Sequence, residues 1–302
     1  VNDLGGSRDG SGASDAALKV VEEIKAAGGS AIANGGSVTD FTAMQAMVEE
    51  AKAAFGGIHI LINNAGILRD KSFTKMDMAD FQTVIDVHLM GTANCTKAVW
   101  DTMRDQSYGR ILMTSSSSGL YGNFGQANYA AAKMGMIGFA KTLGLEGARY
   151  DIRVNALFPV GATRMTEDIM PAEVLSHFTP ESAAAAAVFL VSDDAPQGAI
   201  IGAGGGGFHA AYVTMTRGVV LPTSARSADD VAANWDAIIA RTNETVPTQG
   251  GAQAMQVMTR MPMPSRKSVH CPLPRKKSFS FGESPFQSVT APIAVISAPT
   301  EA

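Results

Sequence analysis

Short apolar or β-branched runs at 30–33, 58–62, 110–114, 152–158 and 199–201 alternate with longer segments at 15–27, 40–55, 76–104, 126–150 and 180–191. In the longer segments apolar residues recur every three to four positions. Phe41, Met44, Met47, Val48, Ala51 and Phe55 show this spacing and mark one buried helix face. The short runs lack polar alternation, so they read as strands covered on both faces by the helices between them. That order predicts an α/β fold, a Rossmann-like doubly wound parallel sheet built from βαβ units. Such sheets bind ligands beyond the carboxyl ends of their strands, and candidate chemistry belongs there.

Composition narrows the class. A 302-residue chain with 46% hydrophobic and 17% charged residues can form a substantial core. A net charge of −4 argues against nucleic acid as a partner, whose binders carry basic surfaces. No apolar run approaches the length needed to span a bilayer, so no membrane partner is expected. Cys95 and Cys271 are too few for a disulfide framework or a thiolate metal site. A cytoplasmic protein is expected, since Pro-Thr-Glu-Ala at 299–302 is not a peroxisomal address. Eight of the 13 prolines fall in 247–302, with six basic residues against two acidic ones. That stretch reads as a disordered tail, and its Arg275, Lys276 and Lys277 as a solvated cluster.

The chemistry concentrates in residues 114–133, TSSSSGLYGNFGQANYAAAK. A strand ends in serines, a glycine-rich stretch follows, and a helix carries Tyr129 and Lys133 one turn apart on one face. A nearby ammonium favours the phenolate, so a phenol of ordinary pKa about 10 gains use as a base. Ser116, at the strand's end, is placed to hold a substrate oxygen. Gly202 to Gly207 match G-x-G-x-x-G by count, but no long helix and no acidic residue follow at the required distance. A mobile loop is expected there instead.

The spacing S-x12-Y-x3-K at Ser116, Tyr129 and Lys133, with Asn63-Asn64-Ala65-Gly66 after an earlier strand, resembles the short-chain dehydrogenase/reductase family over roughly 1–222. The resemblance implies a dinucleotide cofactor lined by Asn63, Asn64, Ala65 and Gly66, with Tyr129 and Lys133 contacting its nicotinamide ribose. Pro159 and Thr163 match the segment that touches the nicotinamide, with Val160 in place of a common glycine. Asp3 matches the acidic residue that accepts both adenosine ribose hydroxyls and so implies NAD, although Arg8 is near enough to pair with a phosphate. Gly36 and Ser37 stand where many members carry an aspartate. His88 replaces the family's fourth catalytic residue, an asparagine, and is expected to hydrogen-bond a water leading to Lys133.

VNDLGG, His88, SGLYGNFGQANYAAAKMG and TRMTEDIMP further resemble the (3R)-hydroxyacyl-CoA dehydrogenase module of that family. The implied substrate is an acyl-CoA whose 3-hydroxyl loses its proton to Tyr129 as hydride passes to NAD. A 3-oxoacyl-carrier-protein reductase using NADPH, or a non-catalytic scaffold, are the alternatives; Asp3 argues against the first and the intact Ser116, Tyr129 and Lys133 against the second. Residues 223–246 resemble a C-terminal helical arm, where Ala232, Trp235, Ile238 and Ile239 predict a packed interface or core helix. The family's oligomers imply a homodimer or homotetramer, built on the helices at 76–104 and 126–150. The glycine-rich phosphate-binding turn of the family is not found ahead of Asp3, so the sheet is expected to lack its first strand and helix. That expectation brings unpaired backbone on the neighbouring strands and weak dinucleotide binding.

Overall fold

The computed structural model describes residues 1–5, 9, 15–161, 173, 177–261 and 293–296. They divide into two compact units, Val1–Ala211 with Thr290–Ala302, and Tyr212–Val289. In the first unit the elements run α1 (Ala16–Ala26), α2 (Phe41–Phe55), β1 (Ile60–Asn63), α3 (Met78–Ile85), α4 (Gly91–Gln106), β2 (Gly109–Thr114), α5 (Ser117–Tyr121), α6 (Ala127–Gly147), β3 (Ile152–Pro159), α7 (Glu181–Leu190), β4 (Ile200–Gly204) and β5 (Gly207–Ala210), closed by β6 (Ile293–Ile296). The sheet order is β5-β4-β3-β2-β1-β6, parallel except for the β4–β5 pair.

Two-sided burial explains why the strands read as continuous apolar runs. Leu61, Ile111, Met113, Ile152 and Val154 pack beneath α2, α4 and α6, with Met44, Val48, Val99, Met103 and Met136. Ile60, Leu112 and Leu157 point the other way, against Ala186 and Leu190 of α7. The α2 boundaries follow from its ends. The Asp40 carboxylate accepts the N–H groups of Thr42 and Ala43, and Gly56 takes the left-handed conformation at φ 85°.

The predicted helix over 76–104 is not continuous. A π-helical turn, Asp86–Met90, separates α3 from α4. Apolar periodicity runs through it unbroken, so the pattern hides the inserted residue, which rotates His88 into the interior. Gly91 closes the turn against Val38, in the segment ahead of α2: a Cβ there would lie 2.7 Å from Val38 Cγ2.

The glycine string at 202–207 is not a loop beyond the sheet. It contains the end of β4 and the start of β5, an antiparallel hairpin with Gly204 opposite Gly207. Gly205 and Gly206 have φ 56° and 79°, both positive, as a two-residue turn between right-twisted strands requires.

β1 has neighbours on both sides. Ile60, Leu61, Ile62 and Asn63 pair with Arg110 to Met113 of β2 and with Ile293 to Ile296 of β6. The expected unpaired rim of β1 is therefore absent, because a segment of the proline-rich tail forms a parallel strand there. Val1 to Asp3 form a separate parallel bridge, with Asn2 against Asn34.

In the second unit the arm, expected to form a packed interface or core helix, holds two short helices, α8 (Ala228–Ala233) and α9 (Trp235–Ile239). A capping box between Ser227 and Asp230 starts α8. Trp235 and Ile239 are about half exposed, so their helical spacing marks no core face. A further helix, α10 (Ala252–Met258), falls within the stretch expected to be disordered. Gln256 holds it by donating from Nε2 to the carbonyls of Thr216 and Arg217. Arg8, Thr163, Cys271 and the Arg275, Lys276, Lys277 cluster lie outside the described residues. No helix among the described residues is long and apolar enough to cross a membrane.

Candidate active site

β1, β2 and β3 end along one edge of the sheet, and the residues of interest follow those ends or face them from α6 and the π-helical turn. At the end of β2, Ser115 is buried, and its hydroxyl donates to the Lys133 carbonyl at 2.9 Å. Lys133 returns the connection, with Nζ donating to the Thr114 carbonyl at 2.5 Å. Strand end and helix are thus joined twice. α5 lies directly on this junction, since a Cβ at Gly119 would approach Lys133 Cβ to 2.7 Å.

Ser116 caps α5 by accepting the N–H of Ser118, and its hydroxyl lies near the Tyr129 phenol, whose pKa it acts to lower. Lys133 Nζ stands 5.4 Å from the Tyr129 ring centroid. The structure therefore brings Ser116, Tyr129 and Lys133 together at one strand terminus. Burial holds the phenol above its ordinary pKa; the Ser116 hydroxyl opposes this and the Asp70 carboxylate adds to it. Burial also lowers the Lys133 ammonium to about 7. Lys133 is buried and directed at a carbonyl, and burial dominates the direction of the phenol's shift.

His88 makes its hydrogen bonds to the Ile67 backbone. Its Nε2 lies 2.8 Å from the carbonyl oxygen and 3.1 Å from the nitrogen of Ile67. A neutral ring nitrogen either donates or accepts, so each tautomer serves one of these groups. Nδ1 is buried without a partner. The ring meets Tyr129 edge-on, with centroids 5.1 Å apart. Burial keeps the imidazole neutral, and the positive Lys133 reinforces that. His88 thus supports, through Nε2, the loop after β1, and it lies against one side of the tyrosine ring.

Asn63 is buried and donates from Nδ2 to Thr96 Oγ1 of α4 at 3.3 Å. Ala65 packs on the main core, and Gly66 lies against the His88 ring. Asp3 Oδ1 accepts the Gly5 N–H at 2.6 Å, and the Asp3 N–H donates to the Asn34 carbonyl at 3.1 Å. Gly36, where a side chain is common, is closely surrounded by Asn34 Oδ1, Met44 Cε and Ala43 Cβ. Pro159 ends β3 opposite Ala203, and the Val160 N–H donates to the Ala203 carbonyl at 2.8 Å.

Sequence reading missed Ser115, Ile67, Asp70, Gln126 and Asn128, all of which touch this machinery. Asn128 and Gln126 stood beside Tyr129 in the motif, but adjacency gives no sign of which backbone group a side chain reaches.

A parallel αβ sheet with a serine, tyrosine and lysine converging at one strand end defines a dehydrogenase site. The family model described as short chain dehydrogenase matches residues 11–173, and the chain belongs to that family. It is 44% identical over 236 residues to a short-chain type dehydrogenase/reductase of Mycobacterium tuberculosis, covering 78% of this chain and 82% of that protein. It is 42% identical over 260 residues to peroxisomal multifunctional enzyme A of Dictyostelium discoideum, covering 85% of this chain and 58% of that protein. The full-length peroxisomal multifunctional enzyme type 2 of Drosophila melanogaster superposes with a TM-score of 0.70 at 35% identity, covering 81% of this chain and 43% of that one. The chain thus spans from about a fifth to three fifths of the length of the multifunctional relatives it matches.

The family uses a nicotinamide dinucleotide, and the donor set fits such a group. Lys133 has three N–H donors and, among the described residues, one hydrogen-bonded acceptor, the Thr114 carbonyl. Two donors remain for a ribose diol.

Proposed function

We propose that this chain oxidises the 3-hydroxyl of a (3R)-hydroxyacyl-CoA to the 3-ketone, with NAD as oxidant. The observation that carries the reading is the convergence of Ser116, Tyr129 and Lys133 at the end of β2. Similarity to peroxisomal multifunctional enzymes supports the substrate class. Asp3 supports NAD, because a carboxylate accepts two ribose hydroxyls and repels a 2′-phosphate.

Lys133 and Tyr129 would hold the nicotinamide ribose, Asn63, Ala65 and Gly66 the wall beside it, and Asp3 the adenosine ribose. The bound dinucleotide supplies a hydride acceptor. Ser116 orients the substrate oxygen by donating to it. Tyr129 then takes the hydroxyl proton. Lys133, moved from the Thr114 carbonyl toward the ribose, places positive charge beside the phenolate and offsets the burial that now raises its pKa. His88 is a positioning residue that keeps Ile67 and the tyrosine ring in place.

The test is turnover of a 3-hydroxyacyl-CoA by the 302-residue chain and its Tyr129→Phe variant, with NAD and NADP supplied separately. A loss of about 10²–10⁴ in kcat on removing the base, and preference for NAD, are expected. Near-normal turnover by Tyr129→Phe overturns the assignment.

A further inference from the structure

The loop that follows Gly66 is fastened to the start of α6 by bonds that the chemistry above does not use. Asn128, fully buried, donates from Nδ2 to the Arg69 carbonyl at 3.1 Å and accepts the Tyr129 N–H on Oδ1 at 2.8 Å. Gln126 Nε2 donates to Asp70 Oδ2 at 2.6 Å, and the Lys71 N–H donates to the Gly125 carbonyl at 2.9 Å. Asn123 steadies Gln126 by donating to its Oε1 at 3.0 Å. The loop is held from its other side as well. Arg69 pairs with Asp80 at 2.7 Å, and Ile67 meets His88.

Asparagine is an unfavourable choice inside a helix, because its amide competes for backbone partners. Here that competition is put to use. The first N–H groups of a helix lack intrahelical acceptors, and the cap residue Gln126 makes no side-chain cap. Asn128 covers the N–H of Tyr129 and gives one amide donor to the neighbouring loop. Among the described residues it is the one side chain seen to bond both the backbone of the catalytic tyrosine and the segment leading from Gly66.

We propose that Asn128 is a positioning residue that sets the Tyr129 hydroxyl relative to Ser116 by tying the first turn of α6 to the Arg69 carbonyl. The proposal rests on the reading of Tyr129 as the base. A purely space-filling role would cost folding when the amide is removed; a positioning role costs turnover in protein that is still folded. Small misplacements of a reacting group are known to cost up to about 10²-fold in rate.

Two variants separate the halves of the contact. Asn128→Ala removes both bonds. Asn128→Asp keeps the acceptor for the Tyr129 N–H but sets a carboxylate oxygen against the Arg69 carbonyl. In each, kcat is expected to fall about tenfold or more with substrate KM within about twofold, while thermal unfolding stays cooperative. Unchanged kcat, or a loss matched by the unfolded fraction, overturns the proposal. Asn128→Ser, with a shorter donor, replaces Asn128→Ala if that variant does not fold. A second readout needs no substrate: the phenol titration of Tyr129, followed by NMR of ring-labelled tyrosine and assigned with Tyr129→Phe. The groups facing that phenol are Ser116, Lys133, Asp70 and His88, and Asn128→Ala alters none of their charges. A displaced midpoint in Asn128→Ala supports the proposal and an unmoved one overturns it, even if wild-type chain turns over no hydroxyacyl-CoA and the assigned reaction itself fails.

Discussion

The imidazole of His88 lies so close to Gly66 that a Cβ at that position would meet Cε1 at 2.4 Å. The motif glycine is therefore fixed by a ring delivered from a π-helical turn some twenty residues further along the chain. Gly66→Ala must displace that ring from the Ile67 backbone or move β1's exit. Overpacking of this kind costs about 1–3 kcal/mol. Urea denaturation should show a lower midpoint with an unchanged slope.

His88→Asn tests the pairing with Ile67. One amide offers a donor and an acceptor together, where the single nitrogen Nε2 faces both backbone groups and serves one. Stability equal to or above wild type is expected, whereas His88→Ala leaves both groups unmet and should lose about 1–3 kcal/mol. The sign with pH is also fixed. Burial lowers the folded-state pKa of His88, so below the ordinary value of 6.5 the unfolded chain binds a proton that the folded chain does not. Wild type should lose stability as pH falls from 6.5, and His88→Asn should lose less over the same range, as read from denaturation midpoints.

Lys133→Met should separate stability from activity. The folded-state pKa lies near 7 against an ordinary 10.5, so as pH falls from 10.5 to 7 the unfolded chain takes up the proton first and stability declines. Below 7 the full cost of burying the charge remains. Replacing the ammonium with an apolar chain should raise stability at neutral pH by on the order of a few kcal/mol, while turnover is lost. Calorimetry and an activity assay on the same sample check both halves.

Asp70→Asn keeps an acceptor for Gln126 and removes a negative charge that raises the Tyr129 pKa. The alkaline-rising limb of the oxidation rate should move to lower pH. A pH–rate profile that coincides with wild type would show that the carboxylate is screened from the phenol.

Most of the sheet and the reactive cluster were legible in the sequence because each rests on spacing. The run predicted as a strand at 30–33 forms none, and Asn34 makes only a bridge to Asn2. Strand β3 over Ile152–Pro159 and helix α2 over Phe41–Phe55 follow from apolar runs and periodicity, and Tyr129 and Lys133 share a face by arithmetic. What could not be read depends on distance between segments. The π-helical turn at His88 leaves the apolar rhythm intact, so 76–104 reads as one helix. Gly205 and Gly206 form a hairpin turn only because β5 returns to pair with β4. The direction of the Tyr129 pKa needed burial and the Asp70 position, neither of which a motif carries. Trp235 and Ile239 show a helical rhythm whose exposed residues leave the core reading without support in this chain.

The ladder between Ile60 and Ile293 has a consequence for how the chain is made. A ribosome delivers β1 early and β6 late, with most of the protein emerging in between. Throughout that interval the pairing of β1 with β6 cannot form. Contacts so distant in sequence form slowly and leave aggregation-prone species behind when they fail. Yield on expression should accordingly depend on the stretch around Ile293, far from any residue that touches the substrate.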